Sequence, residues 1–87
     1  MTLAAVHWKL VSLAVDSSAR FMGKIITLHP IPIRDKMRAT CFGKPVGSLT
    51  RISDSIYEGQ IFGQDVRVEP GQGRGMLRIM TRAEGIA

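Results

Sequence analysis

The sequence predicts an α+β domain, with one N-terminal helix packed on a mostly antiparallel sheet of four to five strands. Three observations carry this expectation. Residues 61–82, IFGQDVRVEPGQGRGMLRIMTR, read as two strands around a glycine-rich loop. Residues 2–17 place apolar side chains at helical spacing. The middle of the chain alternates β-rich runs with proline and glycine.

The hairpin is the clearest element. Val66 and Val68 alternate with Asp65, Arg67 and Glu69, and Leu77 and Ile79 alternate with Met76, Arg78 and Met80. Period two means one buried face and one wet face. For the valines to share a face with Leu77 and Ile79, paired residue numbers must add to an odd sum. With Pro70–Gly75 as the loop, Val68 opposes Leu77, Val66 opposes Ile79, and Arg67 opposes Arg78 on the outer face. Like charges directly opposed are unfavourable. Glu69 on the diagonal, or an anion from outside, would relieve them.

The other elements follow in order. Leu3, Val6, Leu10 and Leu13 share one helical face, Thr2 is a capping residue, and Asp16-Ser-Ser ends the helix. Trp8 and Val11 widen the apolar stripe. Phe21–Leu28 reads as one strand, and His29-Pro-Ile-Pro-Ile as an edge or a departure from the sheet. Met37–Phe42 is a strand, and Gly43-Lys-Pro-Val-Gly turns the chain. Val46–Phe62 is read as two strands and a turn at Ser53-Asp-Ser, against a competing helical spacing of Leu49, Ile52 and Ile56. Arg82–Ala87 is read as a frayed tail. No internal repeat is evident.

Residues 1–87 are expected to form one small domain with a modest core. At 45% hydrophobic residues the chain is not generally disordered, and it has apolar surface to spare for a homo-oligomer. Its single cysteine, Cys41, excludes an intramolecular disulfide and points to a reducing, cytoplasmic setting. No apolar run reaches the length of a membrane span, so no membrane partner is expected. Leu10–Val15 is too short for a secretory signal, and Lys9 abuts it.

The net charge of +5 is unevenly spread. Between Arg20 and Arg51 seven basic residues face one acid, Asp35. From Asp54 onward four arginines face five acids. The candidate anion-binding residues are Arg34, Lys36 and Arg38, with Arg67, Arg74 and Arg78 from the hairpin. No cofactor is implied. His7, His29 and Cys41 have no zinc spacing, no nucleophile elbow exists, and Gly71-x-Gly-x-Gly lacks the helix a phosphate cradle uses. Arg34-x-x-x-Arg38 with Ser53–Gly59 invites comparison with PilZ domains. The second motif departs from that pattern at Ser53 and at Gly59, and no family is assigned.

Three functions are therefore weighed. The first is a non-enzymatic binding module for an anionic partner such as nucleic acid, which needs both basic groups on one face. The second is a homo-oligomeric interaction module with a large apolar interface around the N-terminal helix and Trp8. The third is a ribonuclease, which needs His7 and His29 in one pocket.

Overall fold

A computed structural model describes residues 7–83 of the chain. The architecture is all-β: eight antiparallel strands in sequence order, closed into a barrel by β1 against β8. The strands are β1 (His7–Val15), β2 (Ser18–Phe21), β3 (Lys24–Ile31), β4 (Lys36–Cys41), β5 (Lys44–Ser53), β6 (Ile56–Ile61), β7 (Gln64–Pro70) and β8 (Met76–Ala83). A single 3-10 turn, Pro32–Arg34, joins β3 to β4.

The α+β expectation is overturned, and the reason lies in β1. Leu10 pairs with Met80 and Ser12 with Ile79, so Val11 is an extra residue in the ladder. Such a bulge shifts the alternation by one position. Outward side chains fall at Trp8 and Leu10 before it, and at Leu13 and Val15 after it. The three-residue step from Leu10 to Leu13 is the step that mimics a helix. The remainder of the helical pattern, Thr2, Leu3 and Val6, lies outside the described residues. Without a helix to cover it, the apolar face of the sheet is buried by closing the sheet on itself.

The core is the barrel interior. Ile26, Leu28, Leu49, Ile61, Val66, Val68 and Ile79 are its largest fully buried side chains, and Cys41 is buried among them. Small residues let the walls approach. Leu49 pairs with Gly59 across β5 and β6, where an added Cβ on Gly59 would run into the Ser48 carbonyl and stand 2.6 Å from the Leu49 Cα.

The hairpin of β7 and β8 keeps the expected faces but not the expected register. Val68 pairs with Ile79, Val66 with Thr81, and Glu69 with Arg78. The slip is two residues, so parity holds and the valines stay inside. The loop is shorter than Pro70–Gly75, because Pro70 itself pairs with Leu77. A proline fits there because its missing N–H is not required at the end of a ladder.

Phe21–Leu28 is two strands, not one. Met22 and Gly23 both have positive φ, 53° and 76°, the signature of a type I′ hairpin turn. The same turn recurs every twenty residues, at Phe42-Gly43 and Phe62-Gly63. It closes β2–β3, β4–β5 and β6–β7 at one end of the barrel. The chain thus does contain an internal repeat. Ala19, Ala39 and Gly59 stand four residues before the three turn glycines, and Phe21, Cys41 and Ile61 two before. Arg82, read as the start of a tail, belongs to β8; residues 84–87 lie outside the described residues.

Candidate anion-binding surface

Strand alternation divides the outside of the barrel into three sectors. On β6, β7 and β8 the outward charged residues neutralise one another. Arg67 Nη1 donates to Glu58 Oε2 at 3.1 Å, and Arg67 Nε lies 3.3 Å from Glu69 Oε2. Arg78 Nε lies 3.8 Å from Glu69 Oε1, and Arg82 lies 3.6 Å from Asp65. The Arg67 guanidinium also sits 6.0 Å from the Trp8 ring centroid, within cation–π range. The register explains this order: Glu58 is directly opposite Arg67, and Glu69 directly opposite Arg78. The expected Arg67–Arg78 clash does not arise, and Glu69, the expected mediator, bridges both arginines.

On β2 to β5 the outward side chains are basic or neutral. Arg20 is outward opposite Ile25. Lys36 and Arg38 alternate along β4 around the buried Met37, with Arg38 flanked by His29 and Ser48 and Lys36 by Ile31 and Thr50. All three cations and His29 are exposed. His29 Nε2 and Thr40 Oγ1 are hydrogen-bonded at 2.9 Å, which orients the ring on this face. Asp35, at the end of the 3-10 turn, is held by Arg51 at 2.9 Å, so it does not neutralise β4.

The third sector is the outer face of β1, with Trp8, Leu10, Leu13 and Val15; across on β8 it meets Met76 and Met80 alternating with Arg78 and Arg82.

The two groups of expected anion-binding residues therefore lie on different sides. Lys36 and Arg38 are on β4, with exposed Arg34 beside them in the 3-10 turn. Arg67 and Arg78 are three and four strands further round, paired to carboxylates. Arg74 is exposed in the β7–β8 loop, at the same end of the barrel as Arg34. Arg20 and His29 complete the basic sector and were absent from the expected set. Their signal was available in the outward alternation of β2 and β3, once the hairpin at Met22-Gly23 is recognised.

The charge balance sharpens the contrast. Of twelve lysines and arginines, four (Arg51, Arg67, Arg78 and Arg82) pair with an acid among the described residues. The other eight, Lys36, Arg38 and Arg20 among them, make no such pair there. Six of those eight lie on β2 to β5 and their connections, with Lys9 on β1 and Arg74 in the β7–β8 loop as the other two, so the positive field is strongest on the β2–β5 side and its ends.

The ribonuclease arrangement is not assembled. His7 opens β1 at the end of the barrel that carries the Met22, Phe42 and Phe62 turns, and His29 stands near the opposite end of β3. Among the described residues no three of His, Cys, Asp and Glu converge as metal donors. No helix among them is long and apolar enough to cross a membrane. Comparison of the chain with protein-family models, with curated proteins and with solved structures found no match.

Proposed function

We propose that this chain is a small non-enzymatic binding module that takes an anionic partner, in the first place nucleic acid, on the outer face of β2 to β5 alone. The single face shared with the hairpin arginines, which the sequence expectation needs, is not formed, and Arg67 and Arg78 are left out of the site. One observation carries the reading. Arg20, Lys36 and Arg38, with His29 directly opposite Arg38, lie on the β2–β5 face, whose outward strand residues include no acid, while the acids of the hairpin are paired with its own arginines. Cations held apart from carboxylates by the fold are the ones free to meet phosphates.

The same face defines the kind of contact. Its outward strand positions hold no aromatic: Phe21 is buried, Trp8 is on β1, and Phe42 and Phe62 are in turns. Without stacking platforms, binding rests on backbone phosphates and is indifferent to sequence. The buried lone cysteine fits action in a reducing compartment such as the cytoplasm.

The test is titration of labelled single-stranded RNA and duplex DNA at about 50 and 200 mM salt. A Lys36→Gln/Arg38→Gln variant should bind more weakly, and its log–log salt slope on duplex DNA should be shallower by about 1.8, close to 0.9 per lost phosphate contact. Equal binding by the variant, or no binding by the parent at low salt, would overturn the reading.

A further inference from the structure

We infer that the end of the barrel formed by the Met22 and Phe42 turns docks on an anionic lipid surface, the two apolar tips entering the headgroup layer with Lys24 and Lys44 on the lipid phosphates. This end is separate from Lys36 and Arg38, and the inference does not rest on the anion-binding reading.

The first observation is a residue that folding does not explain. Phe42 is 93% exposed and holds a φ of 51°. A non-glycine residue is strained there, and asparagine would make the same turn with less strain. Phe62 holds nearly the same angle but packs on the core and stacks on Phe21. Phe42 has no such packing. Strain kept at an exposed position points to a use outside the fold.

The second observation is the height of the turns. Thr27 pairs with Thr40, and that register carried forward sets Lys24 level with Gly43. The Met22 and Phe42 turns therefore end together, two strands or about 10 Å apart. Met22 is 54% exposed. The Phe62 turn is set back. Its Phe62 N–H donates to the Val46 carbonyl at 2.9 Å, so β5 runs two residues, about 7 Å, beyond it.

The third observation is where the charge lies. Each protruding turn has a lysine directly after its glycine, Met22-Gly23-Lys24 and Phe42-Gly43-Lys44, while the recessed turn has Gln64. Exposed apolar tip and lysine thus occur together or not at all. Both lysines are exposed. Asp65, beside the recessed turn, lies 3.6 Å from Arg82, and Asp16, Asp35 and Asp54 are in connections at the opposite end.

Apolar tips with cations just behind them match a bilayer interface, where binding grows with the apolar area buried and with attraction to anionic headgroups. Two copies meeting end to end would bring Lys24 and Lys44 against their own counterparts. A phosphate backbone would cover Met22 and Phe42 without using them. Contact of this kind needs no spanning run, so the short apolar runs that spoke against a membrane partner do not oppose it.

The test uses the full chain. Phosphatidylcholine vesicles with about one-third phosphatidylserine should carry it down on sedimentation at about 0.15 M salt, and pure phosphatidylcholine vesicles should carry far less. Phe42→Asn, which should not weaken the fold, should lower the partition coefficient about tenfold or more. Lys24→Gln/Lys44→Gln should lower it about thirty-fold, roughly fivefold per lysine. Phe42→Trp should still bind, and its emission should be quenched by brominated acyl chains, whereas that of Trp8 in the parent should not. Ile33 is 92% exposed at the opposite end, beside Asp35, and Ile33→Ser should bind like the parent. Lys36→Gln/Arg38→Gln should stay within about twofold of the parent, because these residues lie about 20 and 13 Å along β4 from Phe42, beyond a Debye length of about 8 Å. That variant separates failure here from failure of the anion-binding reading. No binding to the anionic vesicles, binding indifferent to Phe42→Asn, or an unquenched Phe42→Trp would overturn the proposal. So would a loss of nucleic-acid affinity in Phe42→Asn with vesicle binding intact, which would assign the tips to that partner.

Discussion

The three repeated turns make a stability experiment with its own control. Met22, Phe42 and Phe62 hold nearly the same positive φ, 53°, 51° and 52°, a conformation that costs a non-glycine residue about 1 kcal/mol or more and that asparagine tolerates. What differs is the surroundings of each side chain. Phe42 is 93% exposed, so it returns almost no burial energy. Phe62 packs on the core and stacks on Phe21, with ring centroids 6.5 Å apart and planes within 4°. Phe42→Asn should therefore remove strain and lose nothing, stabilising the barrel by about 0.5–1 kcal/mol. For a domain of this size that is a rise in Tm of about 2–8 °C. Phe62→Asn relieves the same strain but gives up about 1–2 kcal/mol of partial burial and a further 0.5–1.5 kcal/mol of ring pairing, and should be net destabilising by about 1 kcal/mol. Met22, 54% exposed, should fall between them. The assay is urea unfolding at constant m-value, with thermal melts alongside. If Phe42→Asn destabilises, or if all three variants shift alike, the reasoning from turn strain against packing is wrong.

Further outcomes follow from the walls and the outside of the barrel. Gly59→Ala should destabilise by about 1–3 kcal/mol or prevent folding, because the new methyl meets β5 backbone and not a movable side chain; urea unfolding measures it. Arg67→Ala strips Glu58 of its partner, leaves Glu69 with Arg78 alone and uncovers Trp8. It should cost about 1 kcal/mol, less at high salt, shift the tryptophan emission, and leave nucleic-acid affinity far less affected than Lys36→Gln/Arg38→Gln does. Cys41, buried in the core, should react with a thiol reagent only at the rate of barrel opening, and at once in denaturant.

How much of this was legible in the sequence depended on whether local pattern and tertiary context agreed. Val66, Val68, Leu77 and Ile79 could be assigned to one face because strict alternation survives any two-residue slip, and the slip that occurred changed partners without changing faces. Val46–Phe62 resolved as two strands for the same reason: β-branched and aromatic residues flank a turn at Asp54-Ser55. The N-terminal segment was illegible because a bulge is invisible in composition. It converts a period of two into a step of three and so imitates a helix. The hairpin at Met22-Gly23 was hidden because its first turn residue is large and apolar, where asparagine or aspartate would have announced the turn; the turn read over Gly43-Lys-Pro-Val-Gly was placed late for the same reason, since Phe42 belongs to it and β5 already starts at Lys44. Aligning the chain against itself at the spacing of Gly23, Gly43 and Gly63 would have exposed them.

The basic surface was half legible for a different reason. Clustering along the chain located the cationic block from Arg20 to Arg51, but the sequence alone does not say which cations meet an acid. That depends on register. A hairpin slipped by two residues takes Arg67 and Arg78 out of mutual opposition and places Arg78 against Glu69, while the β6–β7 register places Glu58 against Arg67, which removes both arginines from the pool available to a ligand. The same antiparallel rule leaves Lys36 and Arg38 facing serine, threonine, isoleucine and histidine across β3 and β5. Two arginines with equal claims in the sequence, Arg38 and Arg67, are thereby given opposite roles, one open to solvent and one locked between Glu58, Glu69 and Trp8. Moving a carboxylate across from Arg38, as in Ser48→Glu, should bring it toward the state of Arg67. That single change should lower nucleic-acid affinity and flatten its salt dependence while the barrel's melting temperature stays within a few degrees, about the range expected of a surface substitution. Unaltered binding by Ser48→Glu would mean that the open face of β4 is not where the anion sits.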